Sequence, residues 1–93
     1  MAKIFVAKYS NQANVKCFRV QYENQADLLY YEVQHENQAK GDEKWFYVNY
    51  ENQATCKIFW VDYENQADIK VFKVIYENQA KWRTSNRFRN RLE

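Results

Sequence analysis

The sequence predicts an all-β protein made of one short unit written six times, and three observations carry that prediction. The tripeptide Asn-Gln-Ala begins at Asn11, Asn24, Asn37, Asn52, Asn65 and Asn78, at intervals of 13, 13, 15, 13 and 13 residues. Repetition at a fixed period sets the architecture before any local propensity does. Apolar residues ahead of each copy alternate with a period of two, the period of one face of a strand. Finally, the chain holds three Trp, eight Tyr and six Phe, no Pro and one Gly. That composition favours pleated strands, and no window carries a sustained 3.6-residue stripe.

Each element follows from the same slots. The first strand runs through Phe5, Ala7 and Tyr9, the second through Phe18, Val20 and Tyr22, and the third through Tyr31, Val33 and His35. Phe46, Val48 and Tyr50 mark the fourth, Phe59, Val61 and Tyr63 the fifth, and Phe72, Val74 and Tyr76 the sixth. This aromatic–aliphatic–aromatic face is expected to form the core, which would make His35 a core histidine. The residues between, Val6, Arg19, Glu32, Tyr47, Trp60 and Lys73, vary in character and predict a face that is only partly buried.

Thirteen is odd, so an unbroken strand would turn its core face outward at each new copy. The Glu-Asn-Gln-Ala block is expected to restore the phase by a bend. Asn tolerates unusual backbone angles, Ala permits close approach, and Gln can bridge to a neighbouring repeat. With one glycine and no proline, ordinary hairpin turns are nearly excluded, so the strands should follow a winding path. The two-residue excess falls at Lys40-Gly41-Asp42-Glu43, which reads as a surface turn between two similar halves. Residues 1–93 form a single domain, with repeats over 3–80 and a basic tail over 81–93.

Ninety-three residues are near the size at which a sufficient core becomes difficult to build, and the aromatics, each burying roughly 150–250 Å², supply it. Cys17 and Cys56 occupy slots held elsewhere by Ile or Val and read as buried reduced thiols, consistent with a reducing cytosol. No apolar run is long enough for a signal peptide or a membrane span. The expectation is a soluble, cytoplasmic monomer whose repeat closes its own edges.

The pattern aromatic-x-Val-x-Tyr-Glu-Asn-Gln-Ala, repeated about six times and followed by Ala80-Lys81-Trp82 and a basic tail, resembles the small bacterial septoil-knot family. The likeness covers residue 3 to about residue 87. Ser10 stands in place of Glu, His35 in place of Tyr, and Lys81 where Gly is expected. The resemblance implies a compact β toroid whose backbone is threaded as a seven-crossing torus knot. It implies no activity.

Chemistry-bearing residues point away from catalysis. The Asn-Gln-Ala blocks recur with the structural period, which suits satisfaction of backbone groups at each bend better than a ligand ring. Glu23, Glu36, Glu51, Glu64 and Glu77 sit in equivalent contexts, whereas a hydrolytic pair needs unlike environments. His35 has no partner at metal-ligand spacing. No catalytic, metal or cofactor residues are therefore assigned, and the chain is read as a non-enzyme.

Residues 1–80 carry nine Lys/Arg against eleven Asp/Glu, while the tail carries Lys81, Arg83, Arg87, Arg89 and Arg91 against Glu93 alone. With Phe88 interleaved, these residues are the candidate contacts to an anionic partner, because guanidinium groups beside an aromatic suit phosphate contact and base stacking. The leading expectation is a structural or interaction module, and nucleic-acid binding through the tail is the alternative. Competing readings of the tail are a solubilising end, a segment docked on the acidic body, or, for Leu92-Glu93, a cloning remnant.

Overall fold

The computed structural model describes residues 2–93. Each repeat places one strand of four or five residues: β1 (Ala2–Val6), β2 (Val15–Arg19), β3 (Leu28–Glu32), β4 (Lys44–Tyr47), β5 (Cys56–Trp60) and β6 (Ile69–Lys73). Every Glu-Asn-Gln, and Ser10-Asn11-Gln12 in the first copy, is a single turn of 3-10 helix. In each turn the Ala N–H donates to the carbonyl three residues back, from Ala13 to Ser10 through to Ala80 and Glu77. This one-turn helix changes the chain's direction without glycine and restores the phase that thirteen residues would otherwise lose.

The six strands close into a parallel barrel in the ring order β4-β1-β5-β2-β6-β3, with β3 pairing back to β4. Sequential strands are two places apart in the first half, so β1, β2 and β3 occupy alternate positions in one lap. The longer junction shortens the next step to one place. β4, β5 and β6 then fill the gaps on a second lap.

Register is uniform. Ile4 faces Cys56, Cys17 faces Ile69, Val15 faces Ile58 and Leu28 faces Val71. Each strand is thus slipped by two residues against its neighbour in the same sense, so equivalent slots form rings around the axis. The middle ring holds Ile4, Cys17, Tyr30, Trp45, Ile58 and Val71, all fully buried. Tyr30 and Trp45 stack there with centroids 4.0 Å apart, and Trp45 meets Tyr47 edge-on at 6.3 Å. Two large rings at the axis need small neighbours, which explains why Cys17 stands where other repeats carry larger residues.

The interior is therefore the face opposite to the one predicted from the alternating aromatics. The Phe slot points outward and is half-buried beneath the connections. A second apolar layer forms there, joining Val20, Ala26, Leu29 and Val74 to Phe18, Tyr31, Phe72 and Ala80. The Tyr slot lies further out: Tyr9, Tyr22, Tyr50, Tyr63 and Tyr76 are 64–67% exposed, and His35 is exposed rather than in the core. The chain wraps its barrel in its own connections, so both strand faces are buried and alternation does not reveal which is inner.

The seam between β3 and β4 breaks the pattern. Only Tyr31–Lys44 and Glu32–Trp45 pair there, and β7 (Lys81–Trp82) runs antiparallel beside Leu28 and Leu29 to cover the uncovered half of β3. Gly41 adopts a left-handed φ of +74°, a conformation glycine enters at little cost. Lys40 beyond it is exposed and Glu43 half-buried, but Asp42 beside it is 2% exposed, so the expected surface turn carries one buried carboxylate. Among the described residues, no helix is long and apolar enough to cross a membrane.

Candidate functional site

The tail, the joint at Asp42 and the start of the strands meet at one mouth of the barrel. The Asp42 carboxylate accepts hydrogen bonds from the Trp82 indole N–H at 2.9 Å, the Leu92 N–H at 3.0 Å, the Glu93 N–H at 3.1 Å and the Asn90 N–H. Its backbone carbonyl takes the Trp45 indole N–H at 2.7 Å. A buried carboxylate must have its lone pairs satisfied or be very costly, and here main-chain donors from the tail do most of that work. Leu92 is fully buried against the barrel core, and its carbonyl accepts the Thr55 hydroxyl at 2.7 Å. It packs as a core residue, docked on the barrel and not loose in solvent.

Of the sequence-predicted contacts, Arg83 is tied down: its N–H donates to the Asp27 carbonyl at 2.8 Å and its guanidinium to the Ala26 carbonyl at 3.1 Å. Arg87 lies over the Phe88 ring at 4.8 Å and 3.6 Å from Asp68. Phe88 is half-buried and packs on the core cluster. Lys81, Arg89 and Arg91 are exposed and form no ion pair among the described residues. An open groove of about 530 Å³ is lined by Arg87, Phe88 and Arg91 with Asn14, Val15 and Thr55. The structure thus gathers Arg87, Phe88 and Arg91 at one groove and sets Lys81 and Arg83 beside β3.

The opposite mouth is ringed by the third inward slot of each strand. Arg19 donates to the Tyr30 hydroxyl at 2.8 Å and lies over the Trp60 ring at 4.6 Å. The Tyr47 hydroxyl donates to Glu32 at 2.9 Å, and Glu32 pairs with Lys73 at 3.0 Å. Burial raises the Tyr30 hydroxyl pKa above the usual phenol value and the Tyr47 hydroxyl pKa well above it. This end is closed by side chains, the other by a peptide segment.

Sequence reasoning missed the residue directly after four of the six Asn-Gln-Ala copies, the other two being followed by Lys40 and Lys81. Asn14, Asp27, Thr55 and Asp68 each accept a backbone N–H from a lysine 43 or 52 residues away, at 2.8–2.9 Å. Their own N–H groups donate to the same lysines' carbonyls at 2.7–2.8 Å. This two-way clasp ties one lap to the other. A run of Asn, Asp, Thr and Asp at one slot was the available signal, since these short side chains favour bonding to backbone. The block itself does less: among the described residues only the Gln38 amide reaches a backbone group, accepting from the His35 N–H at 3.2 Å. Four of the glutamates meet lysines, Glu36 with Lys3, Glu51 with Lys57, Glu64 with Lys70 and Glu77 with Lys44, at 2.6–3.4 Å. Being exposed, such pairs contribute only ~0–1 kcal/mol each. Glu23 lacks this partner because Leu29 takes the lysine slot.

Cys17 and Cys56 are buried and unpaired. Burial keeps both as thiols, pushing Cys56 up to about 11 and Cys17 higher still. Among the described residues, no three His, Cys, Asp or Glu side chains converge on a point where they could hold a metal ion.

Neither a curated protein nor a solved structure matches the chain. A family model described as the 7(1) septoil knot domain matches residues 1–83, the whole of the barrel together with β7. The lapped parallel ring, the repeated one-turn helix and this match agree: the chain belongs to the septoil knot domain family.

Proposed function

We propose that the protein is a non-enzymatic interaction module, a rigid β scaffold that offers a repeated Tyr-Glu-Asn-Gln edge to a protein partner. The observation that carries this reading is the set of five equivalent tyrosines, each 64–67% exposed. Tyrosine provides a large, stiff, amphipathic contact surface and is enriched at interfaces. Five copies on one closed frame give the multivalency that turns weak single contacts into useful avidity. The groups chemistry would need are already engaged: Asp42 holds the tail, four repeat glutamates pair with lysines, and both thiols are kept protonated by burial. The buried free thiols and closed strand ring also fit a monomer in a reducing compartment.

The test compares the wild-type chain with a variant carrying Tyr→Ser at positions 9, 22, 50, 63 and 76. Partners captured by the wild type and lost by a folded variant support the reading. A saturable turnover of any small substrate overturns it.

A second reading, nucleic-acid binding, is favoured by the groove that gathers Arg87, Phe88 and Arg91. Anisotropy titrations of labelled single-stranded and duplex oligonucleotides at two salt concentrations decide it. Binding should weaken with salt and collapse when Arg87, Arg89 and Arg91 become Gln. Affinity that survives those changes sinks it.

A further inference from the structure

The mouth that holds the tail has the chemistry of a peptide receptor, and it lies apart from the tyrosine edge. Three features set it apart from ordinary packing. Asp42 addresses main-chain N–H groups of residues 90, 92 and 93, and Thr55 addresses the Leu92 carbonyl. Recognition of that segment is thus almost independent of its side chains. One side chain, Leu92, enters the apolar mouth and is fully buried, while the flanking Arg89, Asn90, Arg91 and Glu93 stay exposed. Lastly, the family match ends at residue 83, so the barrel and Asp42 belong to the matched domain and the occupying segment lies outside it.

We infer that this mouth is a binding site for a short peptide anchored by a single leucine, occupied in cis by residues 84–93. Main-chain hydrogen bonds supply affinity and a single apolar anchor supplies selection, the division of labour found when extended peptides dock on sheets. One ion pair adds to these contacts at the rim, where Arg87 of the occupant lies 3.6 Å from Asp68. The tail acts as a tethered competitor. Its short link to β7 gives it a high effective concentration, so a partner peptide must displace it, and its apparent affinity is reduced by the fraction of time the mouth stands closed. The left-handed backbone at Asn90, φ 69°, is a conformation non-glycine residues adopt at some cost, and a free peptide would not have to hold it beforehand.

The experiment uses the full-length chain and a fluorescein-labelled peptide of residues 84–93. Leu92→Ala in the protein removes the tethered anchor and leaves Asp42 and Thr55, the groups that hold the peptide backbone, unchanged. The peptide should bind this variant about tenfold or more tighter than it binds the wild type. A peptide with Ala in place of the leucine should lose that binding. Equal affinity for both proteins, or for both peptides, overturns the inference. Hydrogen exchange on the wild-type chain gives an independent reading that no substitution can confound. The amides of Asn90, Leu92 and Glu93 should exchange through a local opening well before those of β2 and β5. If they exchange only with global unfolding, the mouth never opens and the tail is simply part of the fold.

Discussion

The regular bends and the seam at Asp42 solve the same problem with the same chemistry at different depths. At a regular bend a short polar side chain, such as Asp27 or Asp68, accepts one backbone N–H from the other lap. Water reaches this clasp, so losing it costs little more than one modest hydrogen bond. At the seam Asp42 accepts four donors while almost wholly buried. There the protein has concentrated in one carboxylate what it elsewhere distributes over repeats. A sixfold pattern tolerates small faults anywhere, but its single irregularity has no second copy.

Four substitutions would break or sharpen that contrast. Asp42→Ala should be the most damaging, because it strands the Trp82 indole and the tail amides. A loss of about 3 kcal/mol or more is expected in urea unfolding, with the fluorescence environment of Trp82 altered. An unchanged midpoint would mean that the seam is no more critical than any bend. Asp27→Ala removes one clasp and its bond to the Thr84 hydroxyl; a loss of about 1 kcal/mol is expected, or a fall of ~4–8 °C in Tm. A loss matching that of Asp42→Ala would erase the comparison.

Gly41→Ala forces an L side chain into φ +74°, with its Cβ 2.5 Å from the flexible Glu43 carboxylate. The backbone term alone is about 1 kcal/mol, read as a lower Tm. The smallest effect belongs to Glu43→Gln. Burial first, and then the neighbouring Asp42 and Glu93 charges, raise the Glu43 pKa above its ordinary 4.5. A folded-state pKa raised in this way means that the folded chain holds the proton more tightly, so the ionised carboxylate opposes folding at neutral pH. The Gln variant should be slightly more stable at pH 7, and that advantage should shrink as pH falls through the raised value towards 4.5. An advantage independent of pH would assign the effect to something other than this charge.

Much of the fold was legible because the repeat is written plainly. The period, the presence of one strand per copy, the bend at Glu-Asn-Gln-Ala and the halfway irregularity followed from residue spacing. Each strand, however, sits earlier than expected and ends one residue past the Phe slot, leaving the Val and Tyr slots beyond it. The inner face did not follow, for a physical reason. The six side chains of the middle ring share one space at the axis, where the large Tyr30 and Trp45 are accommodated beside smaller Cys17, Val71, Ile4 and Ile58. Positions with an identical setting in each repeat, such as the tyrosines, are the outer ones. Regularity therefore marked the surface and variability marked the centre, the reverse of the usual expectation. The tail was legible as basic but not as an anchor, since neither Leu92 nor Asp42 stands out until the winding brings residues 50 positions apart together.

The ring order carries one more consequence. Every strand pairing joins a member of the first three strands to a member of the later four. Among the described residues, neither half contains a strand pairing of its own. While the ribosome has delivered only the first forty or so residues, β1, β2 and β3 have nothing to hydrogen-bond, and sheet formation must wait until the second lap emerges. Two fragments divided at Gly41 would each be a string of unpaired strands, and each would hold the other's missing partners.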